Sequence, residues 1–199
     1  MHKIEFRSFS DDDSIRDLAL CLYQTDPYIY PHLCNEDLTL WSYLVGQCLD
    51  LPGNIFARAH LFVAHLGGEI AGVLCAIPCG QEFSFVEGLR IPAAIATNVA
   101  DVDAGYFRPV CRENLELTGW NIINLCTRTG FRGLGVGKGL LRYFLSLVGM
   151  SDVWLEVISS NTVARDLYEK SGFCMVEERN GYIPEGQLAC ALYRRSPST

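Results

Sequence analysis

The chain contains no Cys-x-x-Cys pair and no cluster of cysteines with histidines. Nine cysteines, an odd number, are scattered along it, and the four histidines, His2, His32, His60 and His65, are not clustered with them. Cys75 and Cys79 flank Ala76-Ile77-Pro78, a wider gap than the commonest zinc pair. These spacings argue against a zinc site and against a disulfide framework. No metal is expected, and the thiols read as small core residues. No apolar run approaches the length that crosses a bilayer, so no membrane partner is expected. The opening "MHKIEFRSFSDDDS" has no signal-peptide core, and its acidic run argues against a transit peptide. The expectation is a cytoplasmic protein. No internal repeat or low-complexity tract is visible.

Positive charge is also in short supply. Lys and Arg number 16 against 23 Asp and Glu, a formal net charge of −7. Nonspecific nucleic-acid binding needs a basic surface, so a nucleic-acid partner is not expected. The balance favours cationic partners, amines included. With 199 residues, 49% hydrophobic and 20% charged, the composition suits one soluble globular domain spanning 1–199.

The first half reads as strand, two helices and a hairpin. "KIEFRSF" alternates, giving a strand from Lys3 to Phe9. Ser10 and Asp11 to Asp13 are expected to open a helix whose positive end suits acidic charge. Ile15, Leu18, Ala19 and Leu22 form its apolar stripe. Pro27 and Pro31 break it. Asn35 to Asp37 cap a second helix carrying Leu40, Trp41, Leu44, Val45 and Cys48. "HLFVAH" and "EIAGVLCAI" are β-rich runs joined by Leu66-Gly67-Gly68, a hairpin signal. From Cys79 to Thr118 the pattern is poor, interrupted by Pro92 and Pro109, with only weak helices.

The second half is clearer. "WNIINLCT", Trp120 to Thr127, is mostly apolar, as in a strand covered on both faces. A glycine-rich turn, "FRGLGVGKG", follows. Leu140, Leu141, Phe144, Leu145 and Val148 then mark a helix with one apolar face, and "VWLEV", Val153 to Val157, is the next strand. Strand, helix, strand at these lengths implies a parallel crossover. A helix from about Thr162 to Lys170 ends at Ser171-Gly172. Phe173 to Glu178 and Gln187 to Arg194 close the chain as two strands.

Three readings compete for the turn. A P-loop requires a glycine where Arg132 stands and a hydroxyl where Gly139 stands. A dinucleotide fingerprint requires a third glycine where Leu140 stands, and neither Asp152 nor Glu156 ends a second strand as its acidic partner must. Arg-x-x-Gly-x-Gly, through Arg132, Gly135 and Gly137, fits: it follows a strand and opens a helix whose amides can face a pyrophosphate. Between Gly119 and Ser151 the charged residues are Arg128, Arg132, Lys138 and Arg142, all basic in an acidic protein.

Arg132-Gly133-Leu134-Gly135-Val136-Gly137 resembles the acetyl-CoA loop of the GCN5-related N-acetyltransferase (GNAT) family. "LEVISSNTVARDLYEKSGF", Leu155 to Phe173, resembles its second signature, in the spelling of the branch that acetylates the N-terminal amine of a ribosomal protein. The close resemblance covers about Trp120 to Arg194. It implies an α/β fold: a mixed, mostly antiparallel central sheet with one parallel pair splayed for acyl-CoA and helices on both faces. The cofactor core would be 120–178, and 79–118 an extended segment before the cofactor strand.

The resemblance also implies roles. Leu125, Cys126 and Thr127 would pair with pantetheine, and Arg132, Gly133, Leu134, Gly135, Val136, Gly137 and Lys138 would hold the pyrophosphate. Asn161 would contact the cofactor while capping its helix. Tyr168 would give a proton to the departing thiolate, and Glu156 would act as general base. The plain alternatives are a core strand, a cap, a core tyrosine and a salt-bridged glutamate. Cys126 lies in an apolar strand with no histidine nearby in sequence, so it reads as inert.

The sequence departs from the family at Thr129, where proline is common, and in the length of 79–118. That segment carries Glu82, Glu87, Asp101, Asp103, Glu113 and Glu116, which offer an alternative base or an acceptor site. Tyr23, Tyr28, Tyr30 and Trp41 fall where the family's acceptor-facing helices sit, and as aromatics they read equally as core. The activity implied is acetyl transfer from acetyl-CoA to a small-molecule or peptide primary amine by direct attack in a ternary complex. A non-catalytic acyl-CoA-binding module and a nucleotide-binding protein are the alternatives. The acceptor is not named by the sequence, and a homodimer stays open.

Overall fold

A computed structural model describes residues 3–81, 89–91, 96, 98, 117–183 and 186–196. Seven strands form one sheet in the order β1-β2-β3-β4-β5-β7-β6. They are β1 (Glu5–Ser8), β2 (Leu61–Leu66), β3 (Glu69–Pro78), β4 (Trp120–Thr127), β5 (Val153–Ile158), β6 (Cys174–Ile183) and β7 (Gly186–Arg195). The β4–β5 pair is parallel and the others are antiparallel. The described helices are α1 (Ile15–Tyr23), α2 (Ile29–Leu33), α3 (Leu38–Cys48), α4 (Val136–Val148) and α5 (Thr162–Glu169).

Strand alternation divides the core between the two faces. Val63, Val73 and Cys75 point to the side covered by α1 and α3, where Leu18, Leu22, Trp41 and Leu44 are fully buried. Phe62, Ala64, Leu74 and Leu155 point to the other side, under Leu140, Leu141 and Phe144 of α4 and Tyr168 of α5. The expected architecture, helices on both faces of a mixed sheet, is therefore the one found.

Three local expectations are corrected. Asp13 does not open the first helix. Its carboxylate accepts from the Ser10 amide at 2.8 Å and from both Arg7 Nη atoms at 2.7 Å, which holds residues 10–13 in a turn. Ser14 caps α1 instead, accepting from the Asp17 amide. The tract around Pro31 is not only a break: it forms α2, with Pro31 in the first turn, where no amide proton is needed. The closing strands are longer than the alternation suggests, because pairing continues from Asn180↔Ala189 to Ile183↔Gly186. Asp37 caps α3 as expected, through the Thr39 and Leu40 amides, and the β2–β3 hairpin turns at Gly67-Gly68.

Helix α4 lies close on the sheet because Gly139 has no side chain; a Cβ there would run into the Phe6 ring of β1. Leu140, Leu141 and Phe144 then bury the helix's apolar face. At ~25 cal/mol per Å² such burial is worth roughly 2 kcal/mol per side chain. This packing fixes where the helix's amino end, and hence the glycine turn, meets the end of β4.

Candidate active site

The parallel pair comes apart. Trp120↔Val153, Asn121↔Trp154 and Ile122↔Leu155 are its paired positions, although β4 runs to Thr127 and β5 to Ile158. On its other edge β4 stays bonded to β3 as far as Thr127↔Gly72. Leu125, Cys126 and Thr127 thus have a strand on one side and none on the other. Backbone groups of an unpaired edge are ready to bond a strand-like ligand. Leu125 and Thr127 are half-buried, whereas the Cys126 side chain is buried toward α1.

The glycine turn stands at the open end of this gap. A 3-10 turn, Thr129–Phe131, leads from β4 into it. Gly133 and Gly135 have φ of +79° and +82°, and no atom lies within 4 Å of a Cβ built on either. L-residues with side chains resist this backbone, and the space above it is free. The first α4 bond runs from the Gly139 amide to the Gly135 carbonyl, so the Val136, Gly137 and Lys138 amides have no acceptor in the helix. They meet the positive end of the helix dipole. Arg132 and Lys138 are exposed and form no ion pair among the described residues. These groups fit a pyrophosphate.

Not every basic residue contributes. Arg128 bonds the Ile70 carbonyl at 2.9 Å, approaches Asp17 and Glu69, and lies over the Phe131 ring. It braces the end of β4. Val136 and Leu134 can offer only backbone: the Val136 side chain is core, and Leu134 is exposed. Asn161 caps α5, its side chain accepting from the Ala164 amide at 3.1 Å. Its Nδ2 end is left for other partners.

Tyr168 sits in the last turn of α5. The Gly172 amide bonds the Glu169 carbonyl and the Phe173 amide bonds the Tyr168 carbonyl, a Schellman closure with Gly172 at φ +87°. The accompanying apolar contact is Tyr168 against Phe173, with ring centroids 5.9 Å apart. The ring is buried, and burial pushes the phenol up to about 12. The ring thus does the packing expected of a core tyrosine at the end of α5.

Glu156 is on the opposite side of the sheet. Val153, Leu155 and Val157 enter the core under α4, so Glu156 projects by alternation toward the α1–α2 side. It lies across from Leu192, beside the Ile158↔Cys190 pair. Burial, then the charges of Glu156 and Asp26, push the Cys190 thiol up to about 11. Two carboxylates thus act on one half-buried thiol.

Asp26, Thr25, Tyr30 and Asn124 were not singled out from the sequence as a group. Asp26, in the turn ahead of α2, accepts from the Tyr28 and Ile29 amides at 2.8 Å each. Burial raises its carboxyl above the ordinary carboxylate range against the pull of those two amides. Asn124 donates to Thr25 Oγ1 at 2.7 Å and to Tyr30 Oη at 3.1 Å. Only a Thr-x-x-x-x-Tyr spacing around Asp-Pro could have hinted at this cluster. Tyr30 and Trp41 stack at 4.6 Å inside the core, as the packing reading of the aromatics expects. The Cys126 thiol is buried toward α1, and its Sγ lies 3.9 Å from Gln24 Oε1 as a weak donor. The carboxylates Glu82, Glu87, Asp101, Asp103, Glu113 and Glu116 lie outside the described residues.

A gap between two strands, ending in free amides at a helix terminus, has the shape and the donors to fit a long ligand that carries an anionic group. Residues 15–173 match the model of the acetyltransferase (GNAT) family. The chain belongs to that family, which places it among the acyltransferases. Over 81 residues it is 35% identical to the [ribosomal protein bS18]-alanine N-acetyltransferase of Haemophilus ducreyi, covering 36% of this chain and 56% of that one. With the Haemophilus influenzae protein of the same name it shares 42% over 80 residues, 38% of this chain and 52% of that one. The chain spans about half the length of the curated relatives it matches. An N-acetyltransferase structure from Staphylococcus aureus is similar with a TM-score of 0.66 at 14% identity, covering 94% and 99% of the two chains. The ribosomal-protein-S18-alanine N-acetyltransferase of Escherichia coli gives 0.57 at 14%, covering 99% and 96%. At such identities the likeness is one of fold.

Proposed function

We propose that this protein transfers an acetyl group from acetyl-CoA to a primary amine by direct attack, with both substrates bound together. The observation that carries the reading is the coincidence of the β4–β5 gap with the open amides of the glycine turn. Acetyl-CoA supplies the thioester carbonyl. The free edge of β4 at Leu125, Cys126 and Thr127 holds the pantetheine arm, and one amide there polarises the carbonyl, an interaction typically worth ~3 kcal/mol. Gly133 to Lys138 and the Arg132 side chain hold the pyrophosphate, and Asn161 Nδ2 adds a contact from α5.

Glu156 takes a proton from the attacking ammonium, and Tyr168 faces the leaving sulfur from the other side of the sheet. A phenol near 12 is a poor proton donor to a thiolate of ~8.5, so Tyr168 contributes chiefly as a hydrogen-bond donor. The matched relatives support a peptide N-terminal amine as the first acceptor class to test. Release of free CoA thiol from acetyl-CoA, measured with an alanine-leading hexapeptide, spermidine and free lysine, tests the reading. Binding of acetyl-CoA without release for any of them would leave a non-catalytic acyl-CoA-binding module.

A further inference from the structure

The register of β4 contains an irregularity with a chemical result. Cys75 pairs with Asn124 and Ala76 with Ile122, which leaves Ile123 as an extra residue. In a regular strand Ile122 and Asn124 would share a face. Here Ile122 enters the core under α4, while Asn124 turns to the α1–α2 side and bonds Thr25 and Tyr30. Bulges beside active sites re-aim side chains in this way.

The orientation of the Asn124 amide follows from its neighbours. Thr25 has one hydroxyl proton, and it is given to the Leu22 carbonyl at 2.6 Å. Toward Asn124, 2.7 Å away, Thr25 can only accept, so the atom facing it is Nδ2. The second Nδ2 proton goes to Tyr30 Oη. Both protons are committed, and the amide cannot turn to satisfy its own oxygen. Oδ1 is buried, in a residue only 6% exposed, and takes no hydrogen bond from any described residue. A buried carbonyl oxygen in this state is costly, and a donor from outside the chain would relieve that cost.

Its position says where that donor comes from. Asn124 lies two residues beyond the last β4–β5 pair and immediately before Leu125, within the tract that faces the gap. The acetyl group carries no N–H. The amides of the pantetheine arm and the acceptor amine do. The neighbourhood selects between them: Asn124 shares its face with Glu156 and is bonded to Thr25, which adjoins Asp26. A carboxylate and an unpartnered amide oxygen on one face of the sheet suit a cation with several N–H groups.

We infer that Asn124 Oδ1 receives an N–H of the acceptor amine, and so governs acceptor binding rather than acyl-CoA binding. This rests on the acetyl-transfer reading above. Once Glu156 has removed one ammonium proton, the nitrogen keeps two. One bonds Oδ1, which fixes the direction of the lone pair as the N–C bond forms; as the C–S pair departs to sulfur, the nitrogen's other proton passes to the thiolate.

Asn121 provides a matched control. It is on the same strand, equally buried, and its Oδ1 also lacks a partner among the described residues, but it lies inside the paired tract. With whichever of the three amine probes wild type turns over fastest, Asn124→Leu should raise the acceptor KM about tenfold or more. Its acetyl-CoA Kd by calorimetry should stay within about twofold, and Asn121→Leu should leave both constants in place. An unmoved acceptor KM in Asn124→Leu, or a parallel loss of acetyl-CoA affinity, overturns the inference while the acetyl-transfer reading stands. If the leucine variant does not fold by circular dichroism, Asn124→Ser carries the same expectation and the same overturning results. No thiol release by wild type with any probe overturns the reading and the inference together.

Discussion

Glu156 and Tyr168 project to opposite faces of the sheet: Glu156 from β5 toward the α1–α2 side, Tyr168 from α5 into the core under α4. A base for the amine on one side and a donor for the sulfur on the other can act on a carbonyl held between them without competing for one proton. Each half of that arrangement can be tested alone.

Replacing Tyr168 by Phe keeps the ring against Phe173 and removes only the hydroxyl. With a phenol held near 12 by burial, the loss in kcat should be at most about a hundredfold. The acetyl-CoA KM and the melting temperature should barely change. Full activity in Tyr168→Phe would return the residue to a packing role.

Glu156→Gln should lower kcat/KM for the amine by roughly 10²–10⁴-fold, the range of a lost general base. The acid limb of the pH–rate profile should vanish with it. A profile that keeps its acid limb in the variant would move the base elsewhere, to Asp26 or to the carboxylates of 79–118.

Gly135→Val should raise the acetyl-CoA Kd at least about tenfold, because its side chain would enter the space above the free amides. Strain at φ +82° contributes a separate loss of stability. Gly149→Val is the control: it also has positive φ and open space, but at the far end of α4. Equal losses of acetyl-CoA affinity in the two variants would remove the phosphate assignment.

Asp13 gives a pH test. Its carboxylate is bonded by Arg7 and the Ser10 amide, and His65 Nε2 approaches at 2.7 Å. Burial alone would raise its pKa; the Arg7 and Ser10 hydrogen bonds and the Arg7 and His65 charges outweigh it and hold the group below its ordinary value. A depressed folded value means the stabilisation is complete above the unfolded value of ~3.9 and is lost as pH falls through the folded one. Asp13→Asn should therefore cost about 3 kcal/mol in urea denaturation at neutral pH. The gap from wild type should narrow once the pH drops below ~3.9. A gap independent of pH would exclude the linkage.

The part of the chain most legible in sequence is the part with local causes. Apolar periodicity marks β4, α4, β5 and α5, and failed P-loop and dinucleotide spacings leave an Arg-x-x-Gly-x-Gly phosphate turn. What misled was non-local. Asp13 looks like a helix opener until Arg7 and His65, on neighbouring strands, take its carboxylate. Gly139 looks like part of the anion loop until the Phe6 ring is found beneath it.

The sequence alone therefore determined the family and the place of the glycine turn, because a turn between a strand and a helix carries its pattern in consecutive residues. The polar cluster on the α1–α2 face was decided by tertiary structure. Asn124 faces Thr25 and Tyr30 only because β4 bulges at Ile123, and the charges of Asp26 and Glu156 both reach Cys190 only because distant parts of the chain come together. Neither alternation nor spacing encodes those meetings. They arise when strands far apart in the chain pair in one register, and that register is fixed by the packing of both sheet faces at once.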